Sequence, residues 1–313
     1  MPSISSLARD IWLHPANQNR RIKALRNAIY WQIFKRVARQ HLDIRVFNLT
    51  LRVYPDSHGA SPALYFNGFP DYHEMRFITH FLKPGDAFLD IGANVGLYTL
   101  LAASCVGENG FVEAFEPNPK ALKRLRENIL LNRLSRVRIH ASAVGSESGM
   151  VQFVTLNEDC CSRIAAESEL PSSTIKVPCV ALDEVLVGSY AMGKMDIEGA
   201  EPLALKGAEH LLSQSNPPVW QLELAGYSKR YGYHTHEIIE WLYERGYEIA
   251  LYDSKTRRLN FTREPWKQGA QNVLAIAQDS KEWVIERTQK IDNSRRADLH
   301  FTHNMHDSQV KFP

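Results

Sequence analysis

No uninterrupted run of 18 apolar residues occurs anywhere in the 313-residue chain, so no segment reads as a membrane-spanning helix. Cysteine is scarce. Cys105, Cys160, Cys161 and Cys179 fit neither a disulfide framework nor a zinc-ligand spacing, and the adjacent Cys160–Cys161 reads as an ordinary loop feature. The first 30 residues hold neither an uninterrupted apolar segment nor a small-residue cleavage site, so the expectation is a cytoplasmic protein without a signal peptide. Net charge is also small. A value of +2 argues against bulk nucleic-acid binding, and no cluster of residues has a recognisable metal-ligand spacing.

What charge there is lies unevenly. Residues 1–50 carry nine Lys/Arg against two Asp, or +7, so the remainder sums to −5. Within that basic stretch, residues 20–39, RRIKALRNAIYWQIFKRVAR, place Ile22, Leu25, Ile29, Ile33 and Val37 at helical spacing with basic residues mainly opposite. Two readings stand: a surface helix packed through the isoleucine face, or a helix making peripheral contact with an anionic membrane or partner surface. Two strand-like runs follow near DIRVFNLTLRVYP, then a helical stretch around Glu74–Leu82.

From there the pattern alternates. Strands are expected at AFLDIGA, GFVEAFEP, VRIHASAV, KMDIEGA and PVWQLELA, with helices over Tyr98–Ser104, Pro119–Asn132, Leu203–Leu212 and His236–Arg245 between them. YEIALYD and NVLAIAQ supply two closing strands. Strands alternating with helices imply an α/β fold, a mostly parallel sheet covered on both faces. Residues 150–180 interrupt the rhythm with strand-like ends around a polar centre, as a substrate-covering insertion would. After Ala277 the chain turns polar. His300, His303 and His306 recur at regular spacing there, in what reads as a loosely ordered tail, with a metal site as the alternative.

The chemistry concentrates at strand ends. DIGANVG closes the first strand, where glycines let a ligand approach the backbone and the following helix start presents its amides. Glu116 lies 20 residues after Gly96, at the end of strand two, placed to take the hydroxyls of a ribose. A dinucleotide fingerprint would have glycine where Asn94 stands, and Asp90 would repel a pyrophosphate. An adenosine ligand with a cationic amino-acid part, such as S-adenosylmethionine, suits this pattern better.

FLDIGANVGLYTL, EAFEPNP and KMDIEGAE together resemble the FkbM family of S-adenosylmethionine-dependent methyltransferases, over roughly residues 70–280. The resemblance implies a class I methyltransferase Rossmann-like fold with a seven-stranded sheet, and O-methylation of a small molecule or sugar. It puts Asp90, Gly92, Ala93, Asn94 and Gly96 at the cofactor loop, Glu116 and Pro117 at the ribose, and Asn118 and Ala143 beside the adenine. The chain then divides into a basic extension (1–69), a methyltransferase domain (70–280) and a polar tail (281–313).

Asp196 and Glu198, at the end of strand four, would border the cofactor's methyl end, with Asp196 counted among both cofactor-binding and catalytic residues. The plain alternative makes Glu198 and Glu201 first-turn acids favoured by the helix dipole. Glu223, at the end of strand five, and His234, in the loop beyond, complete the catalytic candidates, with His236 also eligible. Two rival readings remain: a nicotinamide-dependent oxidoreductase, which the missing glycine at Asn94 disfavours, and a non-catalytic cofactor-binding module, which would have no need of the acids.

Overall fold

The computed structural model describes residues 4–37, 40–57, 67–155, 161–166 and 174–290. Helices α1 (Ile4–Leu13) and α2 (Arg21–Val37) lead into a hairpin of β1 (Leu42–Val46) and β2 (Leu49–Val53). Phe47 and Asn48, both at positive φ, form its two-residue turn, the backbone hand that matches strand twist. After α3 (Tyr72–Phe81) come β3 (Ala87–Ile91), α4 (Leu97–Val106), β4 (Phe111–Phe115), α5 (Pro119–Leu131) and β5 (Val137–His140). A small sheet follows, of β6 (Ala143–Val144), β7 (Gly149–Val154), β8 (Arg163–Ile164) and β9 (Thr174–Val180). Helix α6 (Leu182–Val185) returns the chain to β10 (Met192–Met195), then α7 (Glu201–Lys206), α8 (Glu209–Ser213) and β11 (Val219–Glu223). Helix α9 (Thr235–Glu244), β12 (Tyr247–Asp253), β13 (Arg258–Phe261), β14 (Asn272–Ala277) and α10 (Lys281–Gln289) close it.

The main sheet runs β13-β12-β14-β11-β10-β3-β4-β5. β11 through β5 are parallel, and β14 inserts antiparallel between β11 and β12. Seven strands match the expected sheet, and the eighth, β13, hairpins onto the edge at β12. Alternate residues of each strand enter opposite cores: Phe88, Ala114 and Met192 on one side, Leu89, Phe115 and Met195 on the other. Strand order reverses between β3 and β10, and a crevice lies beyond the carboxyl ends of the strands at this switch point.

Several local expectations are corrected. VRIHASAV does not form one strand: β5 stays in the main sheet, while β6 leaves it to pair with β9. The helix expected over Leu203–Leu212 breaks in two at Gly207, where a Cβ would lie 2.1 Å from the Gly145 carbonyl oxygen. The tail begins as a helix, because Val284 is buried and Arg287 donates to the Phe81 carbonyl and pairs with Asp86. His300, His303 and His306 lie outside the described residues, as does Cys160.

The largest correction concerns α2. Its packed face is Ala24, Asn27, Ala28, Trp31 and Phe34, not the isoleucines. Trp31 and Phe34 join the β1–β2 hairpin in the same apolar cluster as α4 and α5. Ile22, Ile29, Ile33 and Val37 point outward, at 80%, 63%, 47% and 58% exposure. Aromatic and alanine side chains fill the groove because they combine a large buried area with close backbone approach, which branched residues every fourth position do not.

This inversion is measurable. Trp31→Ala should lower the free energy of unfolding by about 3–5 kcal/mol, whereas Ile29→Ser should change it by no more than about 0.5 kcal/mol. Denaturant melts showing comparable losses would return the isoleucines to the packed face.

Candidate functional site

A cavity of about 500 Å³ opens at the carboxyl ends of β3, β4, β10 and β11. That size suits a small ligand. Its floor is Gly92, Ala93 and Asn94, and one side is Glu116, Pro117, Asn118, Ser142 and Ala143. Asp196, Glu198 and Glu223 face them. Phe153 and residues Cys161–Ile164 form a wall, so the described part of the 150–180 insertion borders the cavity.

The β3–α4 turn is held from below. Gly92 and Ala93 both donate backbone N–H groups to the Phe115 carbonyl, each at 3.0 Å. Gly92 has φ +80°, and a Cβ there would sit 2.0 Å from the Asp196 carbonyl oxygen, so only glycine lets the two loops meet. Asn94 and Glu198, one in each loop, also take left-handed backbone angles. Such angles in non-glycine residues persist where surrounding contacts impose them.

Glu116 is buried and its carboxylate is anchored at both ends. Oε2 accepts from the Asn94 N–H and Oε1 from the Asn118 N–H, both at 2.7 Å. Each oxygen keeps a lone pair for a ligand hydroxyl. Burial, outweighing those bonds, pushes Glu116 up to about 7. Asn118 caps α5 by accepting from the Lys120 and Ala121 N–H groups, and its amide donates to Ser162 at 2.8 Å.

Two expected cofactor residues are not part of the cavity lining. Asp90 is fully buried beneath the turn, where Oδ2 accepts from the Thr99 hydroxyl at 2.5 Å and Oδ1 has no hydrogen-bond partner. Gly96 begins α4, and a Cβ there would meet Leu125 of α5 at 2.7 Å, so it serves helix packing. Both support the turn from below, without bordering the cavity.

The missing element in the sequence reading was Lys194. It is buried on β10, directly opposite Asp90 of β3. Its ammonium lies 3.2 Å from Asp196 Oδ2, 3.9 Å from Asp90 Oδ1 and 4.6 Å above the Tyr98 ring. Burial pulls the ammonium down, but the carboxylates of Asp196, Asp90 and Asp71 outweigh it and hold Lys194 above its ordinary value. Asp71 was also missed. It lines the cavity from the α3 N-terminus and accepts from the Tyr98 hydroxyl at 2.8 Å. A lysine two residues before Asp196 at a strand end was the available signal for Lys194.

Glu223 has an oxygen, Oε2, with no hydrogen-bond partner. Burial, then the charges of Asp196, Glu198 and Glu201, then a hydrogen bond to Asp196 push it up to about 9. Glu223 is therefore protonated at neutral pH beside Asp196. Burial, then Asp196, likewise raises Glu198. Glu201 turns inward to accept from the Ile197 and Gly199 N–H groups at 2.9 and 3.3 Å, which is the first-turn role. His234 stands apart: it is exposed at the N-cap of α9, outside the cavity lining, and its N–H donates to Glu237 at 2.7 Å. His236 is exposed as well. Among the described residues, no group of three His, Cys, Asp or Glu side chains is placed to hold a metal ion.

A solved structure of methyltransferase FkbM from Methylobacillus flagellatus KT is 15% identical, with a TM-score of 0.40, covering 82% of this chain and 60% of that one. An S-adenosylmethionine-dependent O-methyltransferase from Thermotoga maritima is 14% identical, with a TM-score of 0.38, covering 66% and 65%. The 31-O-demethyl-FK506 methyltransferase FkbM of Streptomyces tacrolimicus is 35% identical over 92 residues, 29% of this chain and 34% of its own length. The match thus spans about a third of that relative. The model of the methyltransferase FkbM domain matches residues 90–249, just over half of the chain, and the protein belongs to that family.

Proposed function

We propose that this protein transfers a methyl group from S-adenosylmethionine to a hydroxyl of a small molecule or sugar. The observation that carries the reading is one cavity with a ribose-type carboxylate, Glu116, on one side and the acids Asp196 and Glu223 on the other. The donor set fits the cofactor. Its acids favour a ligand with ammonium and sulfonium charges and disfavour a pyrophosphate. Glu116 would hold the ribose, the Gly92–Asn94 backbone would lie along the amino-acid part, and Asn118 and Ala143 would border the adenine. When bound, S-adenosylmethionine supplies an electrophilic methyl group on a cationic sulfur.

The chain's own residues would do the rest. Lys194 fixes Asp196 from below, leaving its carboxylate turned toward the cavity. There it would align the acceptor hydroxyl and take its proton as the new carbon–oxygen bond forms, a general-base role. Alignment supplies much of the acceleration in such a transfer, since acceptor oxygen, methyl carbon and sulfur must lie in line. Glu223, protonated at neutral pH, keeps a second negative charge away from Asp196.

Three outcomes follow for calorimetry and turnover. Glu116→Ala should weaken cofactor binding by about 1.5–3 kcal/mol, the scale of hydrogen bonds to a charged group. Because hydroxyls bond best to the ionised carboxylate, wild-type affinity should rise as pH climbs through about 7, and the variant should lose that rise. Unchanged affinity in a folded Glu116→Ala protein would refute the ribose role.

Asp196→Asn should leave cofactor affinity near normal and cut turnover about a hundred- to ten-thousandfold, as loss of a general base does. Normal binding with wild-type turnover would exclude the base assignment. Glu223 is neutral below about 9 and ionises above it, so activity should fall as pH rises through that value. Glu223→Gln, neutral at every pH, should remove the alkaline fall while retaining activity at pH 7. A pH profile unchanged by this substitution would refute the role of Glu223 in the alkaline fall.

A further inference from the structure

Helix α2 presents two apolar faces, and only one is used by the fold. Trp31, Phe34 and the alanines are buried, while Ile22, Ile29, Ile33 and Val37 point outward at seven- and four-residue intervals that keep them on one side. Arg26 and Arg36, both exposed, share that side. From Ile22 to Val37 the stripe runs about 22 Å along the helix. Trp12 of α1, also exposed, flanks it, with the Arg21 guanidinium 5.1 Å above its ring. Seven Lys/Arg and no acid occur between Asp10 and Asp43.

We propose that this face of α2 is a docking surface for an anionic lipid bilayer, lying in the headgroup region with the helix parallel to the membrane plane. An interfacial helix needs branched or aromatic side chains to enter the acyl boundary and cations to meet lipid phosphates and carboxylates. Both are present on one face. Arginine stems lie along apolar surface while their guanidinium groups reach back to the headgroups. Tryptophan favours the same depth. No described helix is long and apolar enough to cross the membrane, so contact through this stripe would be peripheral.

Charge decides between occupants. A second copy docked antiparallel through the same face would bring Arg26 of each chain near Arg36 of the other, and like charges so placed repel. Residues 291–313 carry three acids and three Lys/Arg, hence no net charge to complement a +7 segment. An anionic bilayer answers both the isoleucines and the arginines.

The test is sedimentation of the full chain with phosphatidylcholine vesicles, with and without phosphatidylserine. Wild-type protein should sediment with the phosphatidylserine vesicles at low salt and be released as ionic strength rises through about 0.15 M. Ile29→Ser/Ile33→Ser should reduce partitioning at least about tenfold, and each of Arg26→Gln and Arg36→Gln about fivefold. These side chains are exposed and distant from the fold's packed face, so melting temperature and cofactor binding should stay at wild-type values, separating lost docking from lost folding. No association with anionic vesicles at low salt would overturn the proposal. So would binding unaffected by the double isoleucine substitution. A dimer in light scattering that Ile29→Ser/Ile33→Ser dissociates, with no vesicle binding, would assign the face to a second copy instead.

Discussion

The site depends on one buried ammonium. Lys194 sits inside the sheet, and a lone charge there would cost several kcal/mol. Three carboxylates, Asp196, Asp90 and Asp71, make it tolerable. Strand register sets the arrangement, because Lys194 of β10 lies directly opposite Asp90 of β3 at the point where strand order reverses. Asp90 in turn needs Lys194. Its Oδ1 has no hydrogen bond, and the Thr99 hydroxyl satisfies only the other oxygen. The acid at the end of the first strand is therefore a foundation for the ammonium, and the ammonium orients the acid that faces the cavity.

Above that foundation, two turns interlock. Gly92 lets the β3–α4 turn touch the carbonyl of Asp196, and Asn94 and Glu198 accept left-handed backbone on either side of the contact. Glu116 ties the first turn to the second strand through the N–H groups of Asn94 and Asn118. The floor of the cavity is thus backbone held by backbone and carboxylate, which leaves little freedom for its shape. The walls differ, since residues Cys161–Ile164 reach the cavity from the small sheet rather than from the main one.

Much of this was legible in the sequence, for local reasons. Apolar runs ending in DIGANVG, EPNP and DIEGAE marked strand ends, and the alternation of strands and helices gave the parallel sheet. Three failures have physical causes. The isoleucine period of α2 was real, but it competed with an overlapping Ala-Trp-Phe face, and periodicity cannot say which of two apolar faces a fold will bury. Asp90 and Gly96 were expected to border the cavity because they lie beside its turn in the chain, whereas their side-chain positions point into the sheet and toward α5. Lys194 stands near Asp196 in the chain, but Asp71 and Tyr98 join it only through tertiary packing, which no local spacing announced. His234 shows the reverse: its loop follows a site strand, yet its backbone serves a helix cap.

The balance of charge narrows what the cavity can accept. Asp71, Glu116, Asp196, Glu198 and Glu223 border it, against the cations Lys194 and Arg163. Burial with mutual repulsion answers this excess by raising Glu223 and Glu198, so that protons rather than further cations neutralise part of it. A phosphate or carboxylate on the acceptor near these acids would meet a like field in a partly desolvated space, where repulsion is strong. A neutral hydroxyl suits them better, since it donates to a carboxylate and can surrender its proton there. The same carboxylates that disfavour a pyrophosphate therefore also disfavour an anionic acceptor, and this, more than the cavity's size, limits the acceptor of the proposed reaction to groups without negative charge.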